Sequence, residues 1–383
     1  MPRTPDLMQM LEGLIETPSV SCVNPSLDMG NRPLIEKLAN WLEDLDFTVE
    51  IQPLPNQPNK ANLIATKGSG SQGLVLAGHT DTVPYDQDDW QQDPFHLIEK
   101  NGRLYGLGTC DMKSFLALAA EASKAFSTSE LQQPIIILAT ADEETSMAGA
   151  RALVQSQQPK ARYAIIGEPT NSKPIRMHKG IMMESIRIQG ASGHSSNPAL
   201  GISALEAMHE AIGALLGFRN ELQQKYRNPL FEIDVPTLNL GYIHGGDNPN
   251  RICGHCELQI DLRPLPGMAL AELRALLHKR LEAALKDRAV HLSISPLFSG
   301  IPAFETPASS PLVKAVETLT GQKSGAVAFG TEAPYLQSLG MDVLVMGPGD
   351  IAQAHQPNEY LAMDRIQPTI ALLRQLIRTF CVA

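Results

Sequence analysis

The chain has 383 residues, 43 % of them apolar and 19 % charged, enough for two or three domains with sizeable buried cores. Its formal charge of −10 argues against nucleic acid or an anionic membrane surface as the main partner, and no apolar run approaches the roughly 20 residues that span a bilayer. The N-terminal stretch lacks the basic-then-apolar order of a secretory signal, and the five cysteines, Cys22, Cys110, Cys253, Cys256 and Cys381, show no framework spacing, so a cytoplasmic protein is expected.

At the start of the chain, Thr4 is placed to cap a first helix, with Pro5 in its first turn and Leu7, Met10, Leu11, Leu14 and Ile15 along its apolar face. Two apolar strands, 61–66 and 74–78, flank Gly68-Ser69-Gly70-Ser71-Gln72-Gly73. That run matches the dinucleotide fingerprint letter for letter but opens no helix, so it reads as a connecting loop. Further apolar segments cover 104–109, 134–139 and 163–167. Up to about Gly180 strands alternate with helical segments, which predicts the α/β class: a mostly parallel sheet with helices on both faces.

The pattern then changes. Ile186 and Ile188 alternate with Ser185, Arg187 and Gln189, a half-exposed strand. Ile202, Leu205, Met208, Ile212, Leu215 and Leu216 share a helix face, strands follow at 237–242 and 257–262, Leu270 to Leu285 form a second amphipathic helix, and 290–296 reads as a last strand. This order predicts an inserted two-layer α/β domain. Cys253-Gly254-His255-Cys256 imitates half a zinc knuckle, but no second ligand pair follows, and a structural role is expected. From Gly300 helix and strand alternate again. The expected organisation is a metal-binding domain in two parts, 1–180 and 299–383, around an insert at 181–298.

Acidic and imidazole residues collect where the strands end. His79 and Asp81 follow 73–78, Asp111 follows 104–109, Asp142-Glu143-Glu144 follow 134–139, Glu168 ends 163–167, and His355 follows 343–346 after a Gly-Pro-Gly turn. Open α/β sheets bring the carboxyl ends of their strands to one crevice. So many carboxylates together would repel and raise one another's pKa, and a pair of divalent cations is the simplest partner that stabilises them. The residues read as a two-metal hydrolase.

His79-Thr80-Asp81, Asp111, Asp142-Glu143-Glu144, Gly167-Glu168-Pro169-Thr170 and His355 resemble the motifs of the aminoacylase and carboxypeptidase (M20) family of dinuclear-zinc hydrolases. The likeness continues through 77–84, 142–151, Ser192-Gly193-His194-Ser195-Ser196, Asn250-Arg251-Ile252-Cys253 and Gly330-Thr331-Glu332-Ala333-Pro334, essentially the whole chain. It implies a zinc-peptidase-like fold whose insert is a lid and dimerisation domain. It also implies two divalent cations, Zn2+ first, with Co2+ or Mn2+ also suited to such donors. Asp111 would be shared by both, His79 and Glu168 would complete one, and Glu144 and His355 the other. The carboxylate of Asp81 is expected to accept the second imidazole N–H of His79, and Glu143 to act as general base.

From the insert, the resemblance implies that His194 acts across the subunits of a homodimer as an oxyanion donor, and that Arg263 and Asn250 hold the α-carboxylate of an N-acyl amino acid substrate. Glu332 is expected to meet a side-chain ammonium, and the Asp111–Met112 peptide to be cis. The finer motifs narrow the implied activity to deacetylation of N2-acetyl-L-ornithine in arginine biosynthesis, with a desuccinylase, aminoacylase or dipeptidase of the same family as the alternative. A rival of another class, a metal-bound scaffold without turnover, is disfavoured because Glu143 stands beside a complete ligand set.

Overall fold

The computed structural model describes residues 4–382. Contacts divide the chain into two compact units: 177–305 with 326–330, and the remainder.

In the larger unit the apolar runs become strands. Leu74–His79 lies between Ile135–Thr140 and Tyr163–Pro169, parallel to both, and Asp342–Gly347 continues the parallel set beyond Tyr163–Pro169. Gln57–Lys67 and Thr48–Leu54 extend the other side antiparallel. Every residue of Leu74–His79 and Ile135–Thr140 is buried. Successive side chains of a strand point to opposite faces, so both faces of this sheet are covered. Helix Lys113–Ser123 packs on the three central strands and is itself overlaid by helices Leu7–Ile15 and Ile366–Ile377. Where its Phe115 meets Gly167, a Cβ on the glycine would lie 1.9 Å from the ring, so only glycine lets strand and helix approach this closely. This is the expected α/β architecture. The parallel register brings the carboxyl ends of four strands to one edge.

Two local expectations resolve differently. The first helix is capped by Asp6 and not Thr4: the Asp6 carboxylate accepts the Gln9 N–H, and the Gln9 side chain accepts the Asp6 N–H. A reciprocal pair satisfies two end groups at once, which a lone hydroxyl cannot. The glycine-rich run, by contrast, does join strand Gln57–Lys67 directly to Leu74–His79 without a helix.

The smaller unit is a four-stranded antiparallel sheet in the order Thr237–Gly245, His255–Arg263, Met182–Gln189, His291–Pro296. Ile186 and Ile188 face its core with Met208 and Leu215 of helix Ala204–Lys225 and Leu273, Leu277 and Leu281 of helix Leu270–Ala284. Arg187 and Gln189 are exposed on the other face, which makes two layers. The unit spans 177–305 with 326–330, where 181–298 was expected. Cys256 is buried in this core, and all five cysteines are free. Among the described residues no helix is long and apolar enough to cross a membrane.

Candidate metal centre

His79 ends a fully buried strand and is 1 % exposed, so its imidazole must find partners within the protein. Its Nε2 lies 3.0 Å from Asp111 Oδ1 and 4.0 Å from Glu168 Oε1. Asp111 arrives on the loop after strand Arg103–Tyr105, and its peptide to Met112 is cis, as expected. The second oxygen of Asp111, Oδ2, lies 3.5 Å from His355 Nε2, which is also 3.1 Å from Glu144 Oε1. One buried carboxylate therefore turns its two oxygens toward two different imidazoles. Ligand atoms of His79, Asp111 and Glu144 lie within 4.8 Å of one another, as do those of His79, Glu143 and Glu168.

The Glu143-Glu144 segment leaves strand Ile135–Thr140 through Asp142, whose φ of 63° is left-handed. Asp142 can hold that turn because it is tied down from several sides. Its Oδ1 accepts Lys60 Nζ at 2.6 Å and Ser21 Oγ at 2.7 Å, and its Oδ2 accepts the Ser146 hydroxyl. Lys60 in turn reaches Asp28 at 2.7 Å. The side chains of Lys60 and Asp142 are 9 % and 4 % exposed, and removing one partner of a buried pair typically costs about 3–5 kcal/mol. Lys60→Met is expected to lower the melting temperature by on the order of 6–10 °C and to reduce kcat, with Lys60→Arg closer to wild type. Unchanged melting and turnover in Lys60→Met would show that the pair does not hold the turn.

Asp81 works differently from expectation. His79 Nδ1 lies 3.0 Å from the Asp81 backbone oxygen and 3.8 Å from its carboxylate Oδ1. The carbonyl is thus the hydrogen-bonding partner of the ring, since the backbone passes nearer to it than the side chain does. The Asp81 carboxylate instead accepts the Glu144 N–H through Oδ2 at 3.0 Å, tying the two site segments together. Glu332 is 1 % exposed, and its Oε2 accepts the Thr140 hydroxyl at 2.8 Å. Burial pushes its carboxyl up to about 7, against the opposing pull of His79.

The electrostatics identify what the cluster favours. Burial, then the charge of Glu168, pushes Glu143 well above the usual carboxylate range, and burial, then the charge of Asp111, does the same to Glu168. Glu144 is raised by burial and by Asp111. Burial would depress the His79 imidazolium, but the Asp111 hydrogen bond and the surrounding carboxylates outweigh it and hold it well above its ordinary value. His355 is held up to about 9, first by its hydrogen bond to Glu144. Glu143, Glu144, Glu168, His79 and His355 are thus shifted toward their more positive states, as a site built for added positive charge should be. The donors are imidazole nitrogens and carboxylate oxygens. The neighbouring Cys110 sulfur turns away, to the Asp350 carbonyl at 3.2 Å. Such a set fits zinc, cobalt or manganese.

The remaining predicted residues belong to the smaller unit. His194 is exposed. Its Nδ1 accepts the Ser196 N–H at 3.2 Å, which leaves Nε2 as the N–H donor. Asn250 is bound to the same segment, its carbonyl accepting the Ser195 N–H at 3.1 Å. Arg263 directs Nε to both carboxylate oxygens of Asp261 at 3.0 Å, an ion pair on the polar sheet face. Sequence reasoning missed Lys60, Lys113 and Glu359. Lys113 is fully buried and donates to the carbonyls of Leu14 and Thr17 at 3.3 and 2.9 Å. The available signal was a lysine opening an otherwise apolar helix.

Residues 75–379 match peptidase family M20/M25/M40. The chain is 53 % identical to an acetylornithine deacetylase of Edwardsiella ictaluri (strain 93-146), over 98 % of this chain and 98 % of that protein. It is 50 % identical to an acetylornithine deacetylase of Proteus mirabilis (strain HI4320), over 100 % of this chain and 98 % of the relative. Among solved structures, a metallo-carboxypeptidase of the M20 family from Sulfolobus solfataricus superposes with a TM-score of 0.77 at 17 % identity, covering 98 % of this chain and 99 % of that one. A dinuclear metal-binding peptidase of the M20 family from Bacillus subtilis gives a TM-score of 0.69 at 15 % identity, covering 98 % and 97 %. At these identities the structural likeness concerns the fold.

Proposed function

The chain belongs to peptidase family M20/M25/M40, and from that premise we propose that it hydrolyses N2-acetyl-L-ornithine to L-ornithine and acetate, a step of arginine biosynthesis. For the chemistry, the supporting observation is Asp111, whose two oxygens face His79 and His355. For the substrate, it is the full-length likeness to acetylornithine deacetylases.

His79, Asp111 and Glu168 would hold one divalent cation, and Asp111, Glu144 and His355 a second, with Zn2+ or Co2+ suited to these donors. Bound there, the cations supply Lewis acidity that lowers the pKa of water and polarises the amide carbonyl. Glu143 is the general base. Its carboxylate takes a proton from the attacking water and delivers it to the ornithine nitrogen as the amide C–N bond breaks. Asp81 keeps His79 and Glu144 in place through its carbonyl and its carboxylate.

His194 supplies an Nε2–H to the developing oxyanion, acting across a homodimer. The edge strand Thr237–Gly245, with Tyr242 and Ile243 48 % and 51 % exposed, supports an interface on the smaller unit. Asn250 and Arg263 hold the substrate's α-carboxylate, Arg263 releasing Asp261 to do so. Five free cysteines suit the cytoplasm.

Steady-state hydrolysis of acetyl-ornithine, succinyl-diaminopimelate and dipeptides by the cation-loaded enzyme tests the substrate. Acetyl-ornithine is expected to lead in kcat/KM by at least about tenfold. A higher value for a succinyl substrate or a dipeptide would replace this reading with that of a desuccinylase or dipeptidase.

A further inference from the structure

The loop that delivers Asp111, residues 106–111, has no strand or helix partners for its N–H groups, and Gly108 is left-handed with a φ of 88°. Buried N–H groups need acceptors; those of Leu107 and Thr109 donate to the Pro94 and Gly106 carbonyls at 2.8 and 3.1 Å, and one distant residue supplies the other four. The Gly106 N–H donates to the Glu359 carbonyl at 3.1 Å. The Gly108 N–H donates to Glu359 Oε2 at 3.0 Å, and those of Cys110 and Asp111 to Oε1 at 2.6 and 2.9 Å. Glu359 is 1 % exposed. Its place under the loop is fixed by the strand that follows it, Tyr360–Ala362, whose residues pair with Tyr105, Leu104 and Arg103 just before the loop. His355 lies four residues before Glu359 on the same segment.

We propose that Glu359 is the positioning residue of the centre, setting the Asp111 carboxylate against His355 by holding the backbone of loop 106–111 from below. The inference rests on the reading that Asp111 and His355 hold divalent cations. It assigns Glu359 no contact with cation or substrate. Three N–H donors converge on its side chain, so only a group with acceptors at both ends meets them all. A glutamine of the same size can accept from Cys110 and Asp111 only by aiming its NH2 at the Gly108 N–H, donor against donor. The loop then lifts at Gly108, and Asp111 moves relative to His355. An aspartate keeps both carboxyl oxygens but loses the reach of one methylene.

Co2+ is the probe, titrated into the metal-stripped full-length protein and followed by calorimetry and by its visible d–d absorption, with kcat and KM measured on loaded enzyme. The comparison includes wild type, Asp111→Asn, Glu359→Gln and Glu359→Asp. Partners that orient metal ligands typically contribute 10–100-fold in affinity or activity. Glu359→Gln is therefore expected to bind Co2+ about 10–100-fold more weakly, with altered d–d bands and a kcat reduced by a similar factor, while KM stays within about twofold because the residue touches no substrate. Glu359→Asp should fall between Gln and wild type. Wild-type Co2+ affinity and spectrum in a folded Glu359→Gln would overturn the proposal. Failure of both Glu359 variants to fold, with or without Co2+, would also overturn it, since the residue would then serve the fold alone. The underlying reading fails separately, if wild type binds no Co2+ or if Asp111→Asn binds it unchanged.

Discussion

A Glu143→Gln enzyme is expected to fold and take up its cations as wild type does, yet to turn over about 10²–10⁴ times more slowly. The substitution keeps the size of the side chain and removes its charge and its ability to accept a proton. Because the proton moves in the transition state, kcat and kcat/KM should fall together while KM changes little. The geometry makes this a sharp test. Glu143 shares a cluster with His79 and Glu168, with ligand atoms within 4.8 Å of one another, so it stands where a ligand could also stand. Metal content separates the two roles. If the variant retains two equivalents of cation and loses turnover, Glu143 is the base. If it loses a cation and activity in proportion, Glu143 belongs to the ligand set and the proton acceptor must be sought elsewhere.

Much of the candidate cluster in the larger unit was readable because of one geometric rule. A run such as 74–78 that is apolar at every position marks a strand buried on both faces, and parallel pairing of such strands aligns their ends. His79 sits opposite Thr140 in register, so the residues following Thr140 had to arrive beside it. Glu168 on Tyr163–Pro169 and His355 after Asp342–Gly347 followed from the same logic, whereas Asp111 arrives from a separate antiparallel sheet in which Arg103–Tyr105 pairs with Ile98–Lys100 and Tyr360–Ala362. In the smaller unit the period-two pattern of Ile186 and Ile188 against Arg187 and Gln189 identified the strand and its inner face together.

What the sequence hid depends on backbone atoms meeting across long separations. Glu359 lies 248 residues from Asp111, and nothing in its neighbours distinguishes a carboxylate that collects N–H groups from one that is solvated. Lys60 followed the same course, an ordinary strand lysine until Asp142 and Asp28 closed around it. The Asp81 error has a simpler origin. Spacing places residue 81 near His79, but it cannot say whether the carbonyl or the carboxylate of that residue faces the ring. That Glu332 is buried was likewise hidden, because a loop motif does not reveal burial. Among groups that collect backbone N–H donors or fill the space beneath a site, position in sequence carries little information, whereas ligands at strand ends inherit theirs from the sheet.

Chelating the divalent cations is expected to abolish turnover and to lower the melting temperature by on the order of 10 °C, with a larger drop at pH 8 than at pH 6. A cation present at about 1,000 times its Kd contributes about 4 kcal/mol to the folded state, and about 2–4 °C accompanies each kcal/mol in a unit of this size. The pH dependence follows from the direction of the shifts. Glu143, Glu168 and Glu144 all sit above their ordinary carboxylate values, through burial first and neighbouring charge second. A carboxyl raised in the folded state binds protons more tightly there than in the unfolded chain. Its stabilising contribution is complete below the ordinary carboxylate pKa and is lost as pH rises through the raised one. His355, held up to about 9 by Glu144, has the same sign, since its proton is also bound more tightly in the fold. Protons therefore neutralise more of the cluster at pH 6 than at pH 8, although His355, held up to about 9, keeps most of its proton at both. Protons also compete with cations for these donors, which weakens the loaded state at pH 6 and widens the difference further. Thermal melts of loaded and chelated protein at the two pH values provide the measurement, with Zn2+ or Co2+ added back to restore activity. An equal drop at both, or a larger one at pH 6, would mean that the carboxylate cluster is not where the cations bind.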